Sequence, residues 1–265
     1  MGVCIHPSAI VDESADLGDG VEIGAYCYVG PRVSIGAGTR LLHRSSIMEQ
    51  TTLGERNTLY PGCVLGADPQ DKKFVGEDTI LEIGNGNTFR ENVSVNRGTG
   101  LGGGKTVVGD DCLIMAGVHI AHDCILGNRV TMANNVLLGG HIVVEDDVGF
   151  GGFTAVHHYV SIGRFAFIGG MTRVVADAPP FLITEGHPSR VRAVNRVGLE
   201  RGGFDQETIN WLKEAFRKLY QGEGNGKEDI LEQLRGQEPI PEAGRHFIHF
   251  MAASLQGKRG RVNQP

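Results

Sequence analysis

The chain has 265 residues, a net charge of −6 and an aromatic content of only 6%. The acidic balance argues against a nucleic-acid binder, which carries a basic face. No apolar run approaches the ~20 residues of a membrane-spanning helix, and no signal peptide is evident, so a cytoplasmic location is expected.

From residue 5 onward the chain counts in sixes. Aliphatic residues stand at Ile5, Val11, Leu17, Ile23 and every sixth position to Leu65. They return at Ile83, Phe89 and Val95, and again from Val108 through Ile120, Leu126 and Leu138 to Val174. These are 26 positions and none is polar. Neither a helix nor a paired strand calls for a strict period of six. A solenoid does, because each unit buries its apolar residue only against its neighbours. The residue after the aliphatic one is often glycine (Gly24, Gly36, Gly109, Gly139, Gly151), expected to relieve strain at a tight corner. Four positions after it the residue is usually small or β-branched, as expected of a cramped interior angle. Three short strands then close an 18-residue coil, and coils stack at about 4.8 Å by parallel pairing. Cys27, Cys63, Cys112 and Cys124 fall on the small interior position, so they read as buried apolar residues and not as ligands or disulfides. The pattern resembles the hexapeptide-repeat, left-handed parallel β-helix family. The left hand follows from that resemblance alone.

Two segments break the count, DPQDKKFVGEDT at 68–79 and GTGLGGGKT at 98–106. Both read as loops extruded from the coil, where solenoids tend to bind. GGGKT is no phosphate loop: the first glycine of that motif would fall at Thr99, and no helix follows.

Five of the ten histidines lie between residues 119 and 158. Counted by eighteen, His122, Gly140 and His158 form one column, flanked by His141 and His157. Such a cluster suits zinc binding by neutral imidazoles or general-base chemistry by one histidine.

After Pro179-Pro180 the repeat ends. Residues 1–181 are expected to form the β-helix, and 182–265 a linker and a small helical unit. The segment 182–204 reads as irregular and basic, with Arg190, Arg192, Arg196 and Arg201. Asp205 is placed to cap a helix through Trp211, Phe216 and Tyr220 that ends near Gly222. Further helices are expected near 227–235 and 241–255, with a frayed tail after Gly257.

The run GVHIAHDC, then NRVTMANNVLLGGHI and GGFTAVHHY, together with both loops and the helical unit, resembles the UDP-N-acetylglucosamine acyltransferase family over nearly the whole chain. That resemblance implies a homotrimer with active sites between adjacent β-helices. It implies a 3-hydroxyacyl donor on acyl carrier protein, the 3-hydroxyl of UDP-N-acetylglucosamine as acceptor, and the first step of lipid A synthesis. His122 matches the catalytic base, Asp123 follows it as the group that orients or stabilises the imidazole, and the Gly140 N–H matches the oxyanion donor. Asp71 and Lys73, with Gln70, match sugar contacts. His119, His141 and His157 match substrate-site histidines, Asn195 and Arg201 nucleotide contacts, and Gly170 the limiter of acyl length. No cofactor or metal is implied. Arg190, Arg192, Arg217, Lys218 and Lys258 are candidates for docking the acidic carrier protein.

Four positions depart from the family pattern. Asn96 stands where many members have histidine, Val197 where an acidic residue occurs, Gly202 for an arginine and Pro188 for a histidine. They surround the acceptor, so an aminated sugar is the alternative acceptor. The competing readings are the N-acyltransferase of the same pathway, a γ-class carbonic anhydrase-like zinc enzyme and a non-enzymatic scaffold. The first normally carries an N-terminal domain, for which hexads starting at residue 5 leave no room.

Overall fold

Each hexad aliphatic occupies a short strand of its own, from Cys4–Ile5 to Arg173–Val174. The computed structural model describes residues 2–222 and 226–265. The strands stack in three parallel sheets, the faces of a triangular coil. Ile5 pairs with Ile23, Val11 with Val29 and Leu17 with Ile35 on the first, second and third faces. From Ile23 onward the hexad aliphatics and the small interior residues fill one continuous core along the axis, with Val11 and Leu17 partly buried against it and Ile5 exposed on the first coil. Cys27, Cys63, Cys112 and Cys124 are all buried there, and Cys4 is exposed. Burial pushes the Cys63 thiol up to about 12 and that of Cys112 to about 11, so both stay protonated.

The corner glycines serve a different purpose from the one expected. Among the thirteen glycines that directly follow a hexad aliphatic, only Gly66 has a positive φ. The others are needed because the next coil passes too close for a side chain. A Cβ on Gly24 would sit 2.8 Å from the Leu41 carbonyl oxygen, and one on Gly109 2.5 Å from that of Gly127. The left-handed conformation falls two residues later, largely on non-glycine residues such as Asp123, His141, Phe153, Tyr159 and Met171. That conformation costs about 1–2 kcal/mol per L-residue. It is offset by a hydrogen bond to the coil below: the His141 N–H donates to the His122 carbonyl, and that of Tyr159 to the Gly140 carbonyl.

Both loops leave from one place. The first departs after the strand Val64–Ala67 and rejoins at Ile80–Ile83; the second departs after Ser94–Asn96 and rejoins at Lys105–Val108. Each therefore replaces the corner that joins the second face to the third. The register recovers at once, Leu53 pairing with Ile83 and Ile83 with Val108.

The segment 182–204, read from the sequence as irregular, instead forms regular secondary structure. Leu182–Glu185 extends the first face by pairing with Phe167–Ile168, then turns back antiparallel onto Arg190–Val194. Helix α1 (Arg196–Arg201) follows, with Asn195 as its N-cap. Next come α2 (Gln206–Gln221), capped by Asp205 through the Thr208 N–H at 2.7 Å, α3 (Lys227–Arg235) and α4 (Glu242–Gln256). Phe181, Leu199, Leu212, Phe216, Leu234 and Phe247 form a second core among these helices and the hairpin. The tail is not frayed either. It folds back on the last coil, where Gly260 accepts from the Asp177 N–H and Val262 donates to the Asp177 carboxylate.

Candidate active site

The corner that replaces its turn with a loop in two coils carries histidines in the coils that follow. Its first residues, coil by coil, are Ala121, Gly139, His157 and Val175. Its second residues are His122, Gly140, His158 and Ala176, and its third are Asp123, His141, Tyr159 and Asp177, the first three of them left-handed. Stacking thus brings His122, His141 and the consecutive rings of His157, His158 and Tyr159 into one train. The His122 and His141 rings meet edge to face at 5.1 Å, and His141 stacks on Tyr159 at 4.5 Å. Tyr159 meets His158 at 5.4 Å, and His158 lies 3.8 Å from His157.

His122 and Asp123 are adjacent, yet they bond side by side because Asp123 takes the left-handed conformation. His122 Nδ1 lies 2.7 Å from Asp123 Oδ2. The Asp123 side chain is only 1% exposed. Thr99 of the second loop donates its N–H to Oδ1 at 2.8 Å and its hydroxyl to Oδ2 at 2.7 Å. Burial pushes the Asp123 carboxyl up, but the bonds from His122 and Thr99 outweigh it and hold the group below its ordinary range. An ionised carboxylate only accepts, so Nδ1 of His122 carries the proton and Nε2 keeps its lone pair. That is the tautomer a general base needs.

Gly140 makes room for this imidazole. A Cβ there would fall 2.6 Å from His122 Cε1 and 2.9 Å from Nε2. Among the described residues nothing accepts from the Gly140 N–H. His141 Nδ1 stands 3.7 Å from Asp123 Oδ2, so His122, Asp123 and His141 offer three donor atoms within 4.8 Å of one another. Such a spacing would also suit a metal.

His119 lies on the second face, with Nδ1 2.8 Å from the Ser94 hydroxyl. Burial lowers the pKa values of His119, His141 and His158 below the ordinary histidine value. The charges of Asp71 and Lys73 in the first loop act on His141, raising and lowering its pKa respectively by smaller amounts than burial does. Gln70 and Lys73 are exposed and Asp71 half-buried. Asn96 is buried, and its amide nitrogen donates to the Ala67 and Asp68 carbonyls at 3.3 and 2.8 Å. It therefore ties down the root of the first loop, while its Oδ1 has no partner.

Three of the sequence-derived positions lie elsewhere on the chain. Gly170 sits exposed at the corner after the first face, beside Gly152. Asn195 donates to the Phe165 carbonyl at the corner after the third face. Arg201 lines a groove of about 680 Å³ there, with Arg129, Arg164, Phe165 and Phe204. One chain thus presents the histidine train, Gly170 and the Arg201 groove on three separate corners.

Sequence counting missed Thr99, Thr106 and Tyr159. Thr106 accepts from the Asp123 N–H at 2.8 Å. Tyr159 was within reach of the same count by eighteen from His141. Thr99 was not, because the second loop shifts the phase before the coil resumes.

Known proteins resemble this chain in sequence and fold. Residues 177–262 match the family model described as Udp N-acetylglucosamine O-acyltransferase, domain 2, and residues 105–140 match that of the bacterial transferase hexapeptide. The chain is 43% identical over 253 residues to the acyl-[acyl-carrier-protein]–UDP-N-acetylglucosamine O-acyltransferase of Thermodesulfovibrio yellowstonii, covering 96% of this chain and 98% of the relative. The Rhizobium johnstonii enzyme of the same name is 40% identical, with 94% and 91% covered. Among solved structures, the UDP-N-acetylglucosamine acyltransferase of Bacteroides fragilis superposes with a TM-score of 0.91 at 34% identity, covering 94% of this chain and 96% of that one. The Acinetobacter baumannii structure gives 0.88 at 36%, covering 92% and 95%.

Proposed function

Because the chain belongs to the UDP-N-acetylglucosamine O-acyltransferase family, with its left-handed parallel β-helix, we propose that His122 is its general base. The reaction moves a 3-hydroxyacyl chain from acyl carrier protein to the glucosamine 3-hydroxyl of UDP-N-acetylglucosamine, the first step of lipid A biosynthesis. His122 Nε2 takes the proton of that hydroxyl as its oxygen attacks the thioester carbonyl. The Gly140 N–H donates to the oxyanion of the tetrahedral intermediate. Collapse breaks the carbon–sulfur bond, and the imidazolium returns the proton to the departing thiolate. Asp123 holds the tautomer and stabilises the imidazolium. A positioned base contributes roughly 10²–10⁴-fold. The observation that carries this reading is the His122–Asp123 bond at 2.7 Å, with Gly140 close against the same ring.

Asp71, Lys73 and Gln70 contact the sugar, and His119, His141 and His157 line the substrate site. Asn195 and Arg201 serve the nucleotide, the guanidinium of Arg201 meeting the diphosphate. The open position at Gly170 leaves room for a long acyl chain. The chain forms a homotrimer with active sites between adjacent β-helices, a reading supported by the placement of these groups on three corners of one chain. Five free cysteines, four of them buried, suit a reducing cytoplasm. No helix among the described residues is long and apolar enough to cross a membrane.

The test is a panel of 3-hydroxyacyl carrier proteins of graded length against UDP-N-acetylglucosamine and its 3-amino analogue. The reading predicts an ester at the 3-hydroxyl. An amide from the amino sugar, without ester from UDP-N-acetylglucosamine, overturns the acceptor assignment.

A further inference from the structure

The C-terminal tail ends against the histidine train. Arg261 is 3% exposed, a rare burial for a guanidinium. Its Nη1 donates to the Val175 carbonyl at 2.9 Å and its Nε to Gln264 Oε1 at 2.7 Å. On the same coil the Asp177 carboxylate accepts from the Val262 N–H at 2.8 Å and the Ser161 N–H at 2.7 Å. Asn263 Nδ2 adds a bond to the Ser161 hydroxyl at 2.9 Å. Val175, Ala176 and Asp177 are the last coil of the corner that carries His122, Gly140 and His157. The tail therefore closes the open end of that corner.

Arg261 Nη1 also stands 3.2 Å from His157 Nδ1. The same Nδ1 lies 3.1 Å from the His158 carbonyl. These two contacts exclude each other. A carbonyl requires Nδ1–H, whereas a guanidinium has only donors and requires a lone pair. Without Arg261 the carbonyl would favour the Nδ1–H form, which leaves Nε2 an acceptor.

We propose that Arg261 is a positioning residue that holds His157 in the Nε2–H tautomer, so that this ring presents a hydrogen-bond donor to the substrate two coils from His122. The inference rests on the reading of His157 as a substrate-site residue. Two coils span roughly 10 Å, which places the donor along the substrate and away from the base. A neutral donor there suits a carbonyl or hydroxyl oxygen of the bound substrates. The tail thus contributes to the site without touching the substrate.

The test compares Arg261→Met, which keeps the aliphatic packing, with Arg261→Lys, which keeps a cationic donor. Nitrogen-15 NMR of histidine-labelled protein reads the tautomer, with the His157 signal assigned by its absence in His157→Ala. The expected results are an Nε2–H tautomer in the parent protein and in Arg261→Lys, and a shift to Nδ1–H in Arg261→Met. kcat/KM should fall roughly 10–100-fold in Arg261→Met and recover most of that loss in Arg261→Lys. Equal activities in the two variants, or an unchanged tautomer in Arg261→Met, overturn the inference and leave the tail as packing alone. Normal activity in His157→Ala instead overturns the underlying assignment of His157.

Discussion

Thr99 grips both oxygens of Asp123, its N–H on one at 2.8 Å and its hydroxyl on the other at 2.7 Å. The second loop is thereby the support of the His122–Asp123 pair and not a decoration of the coil. A Cβ on Gly102, at the end of the same short turn, would run into the carboxylate. Gly102 is required because the loop closes there over a buried acid, whereas Gly103 and Gly104 take a positive φ.

Replacing Thr99 by valine keeps the shape and the N–H but removes the hydroxyl. A hydrogen bond to a charged group is worth about 1.5–3 kcal/mol. The expected loss of stability is of that size, read by urea unfolding, with kcat lowered and KM for the acceptor little changed. An unchanged unfolding midpoint would show that the hydroxyl bond contributes nothing.

Asp123→Asn leaves the geometry but lets the amide donate to Nδ1, which reverses the tautomer of His122. A loss of kcat on the order of 10⁴ is expected by analogy with hydrolase triads. The pH dependence of stability changes as well. The Asp123 carboxyl is held below its ordinary value of 3.8, so its stabilisation is complete above that pH. It is lost as pH falls from there through the folded-state value. Acid titration followed by circular dichroism should show a shallower loss below pH 3.8 in the variant than in the parent.

Two glycines separate catalysis from folding. Gly140→Ala puts a methyl 2.6 Å from His122 Cε1, where a side chain has to yield. The variant should fold with a near-normal Tm and lose roughly 10²-fold in rate, the cost of misplacing the base. Gly109→Ala puts its methyl 2.5 Å from the Gly127 carbonyl oxygen at a corner remote from the histidines. Its backbone has little freedom to move, so stability should fall by about 1–3 kcal/mol while the folded fraction keeps its specific activity. Calorimetry and initial rates on both proteins check this contrast.

His119 and His141 bind protons less readily when folded, because burial lowers their pKa values below 6.5. The unfolded chain therefore takes up more protons as pH falls below 6.5, and stability declines with it. His119→Gln should flatten that decline between about pH 6.5 and the folded-state value. A parent protein equally stable at pH 7 and pH 5 would contradict the assignment.

The period of six made the coil, its interior and the column of His122 and Gly140 legible, because burial at a stacked corner leaves a fixed spacing. The same count misread the corner glycines. Spacing alone cannot separate a residue that must bend from one, like Gly24, that must let the next coil pass. Asp205 was legible as a cap, since its side chain acts within one turn. The hairpin around Gly186 was hidden behind its arginines, although the exposed Arg190 and Arg192 alternate with the inward Val191 and Ala193 as an edge strand requires. The grip of Thr99 on Asp123 and of Arg261 on His157 left no periodic trace, because both come from chain segments that the coil does not index.

The most direct test of the account is acyl transfer by His122→Ala. The variant should fold and assemble as the parent does, bind UDP-N-acetylglucosamine with similar affinity, and transfer acyl chains at least about 10²-fold more slowly at pH 7. Near-parental transfer from 3-hydroxyacyl carrier protein by that variant would contradict the assignment of His122 as the base.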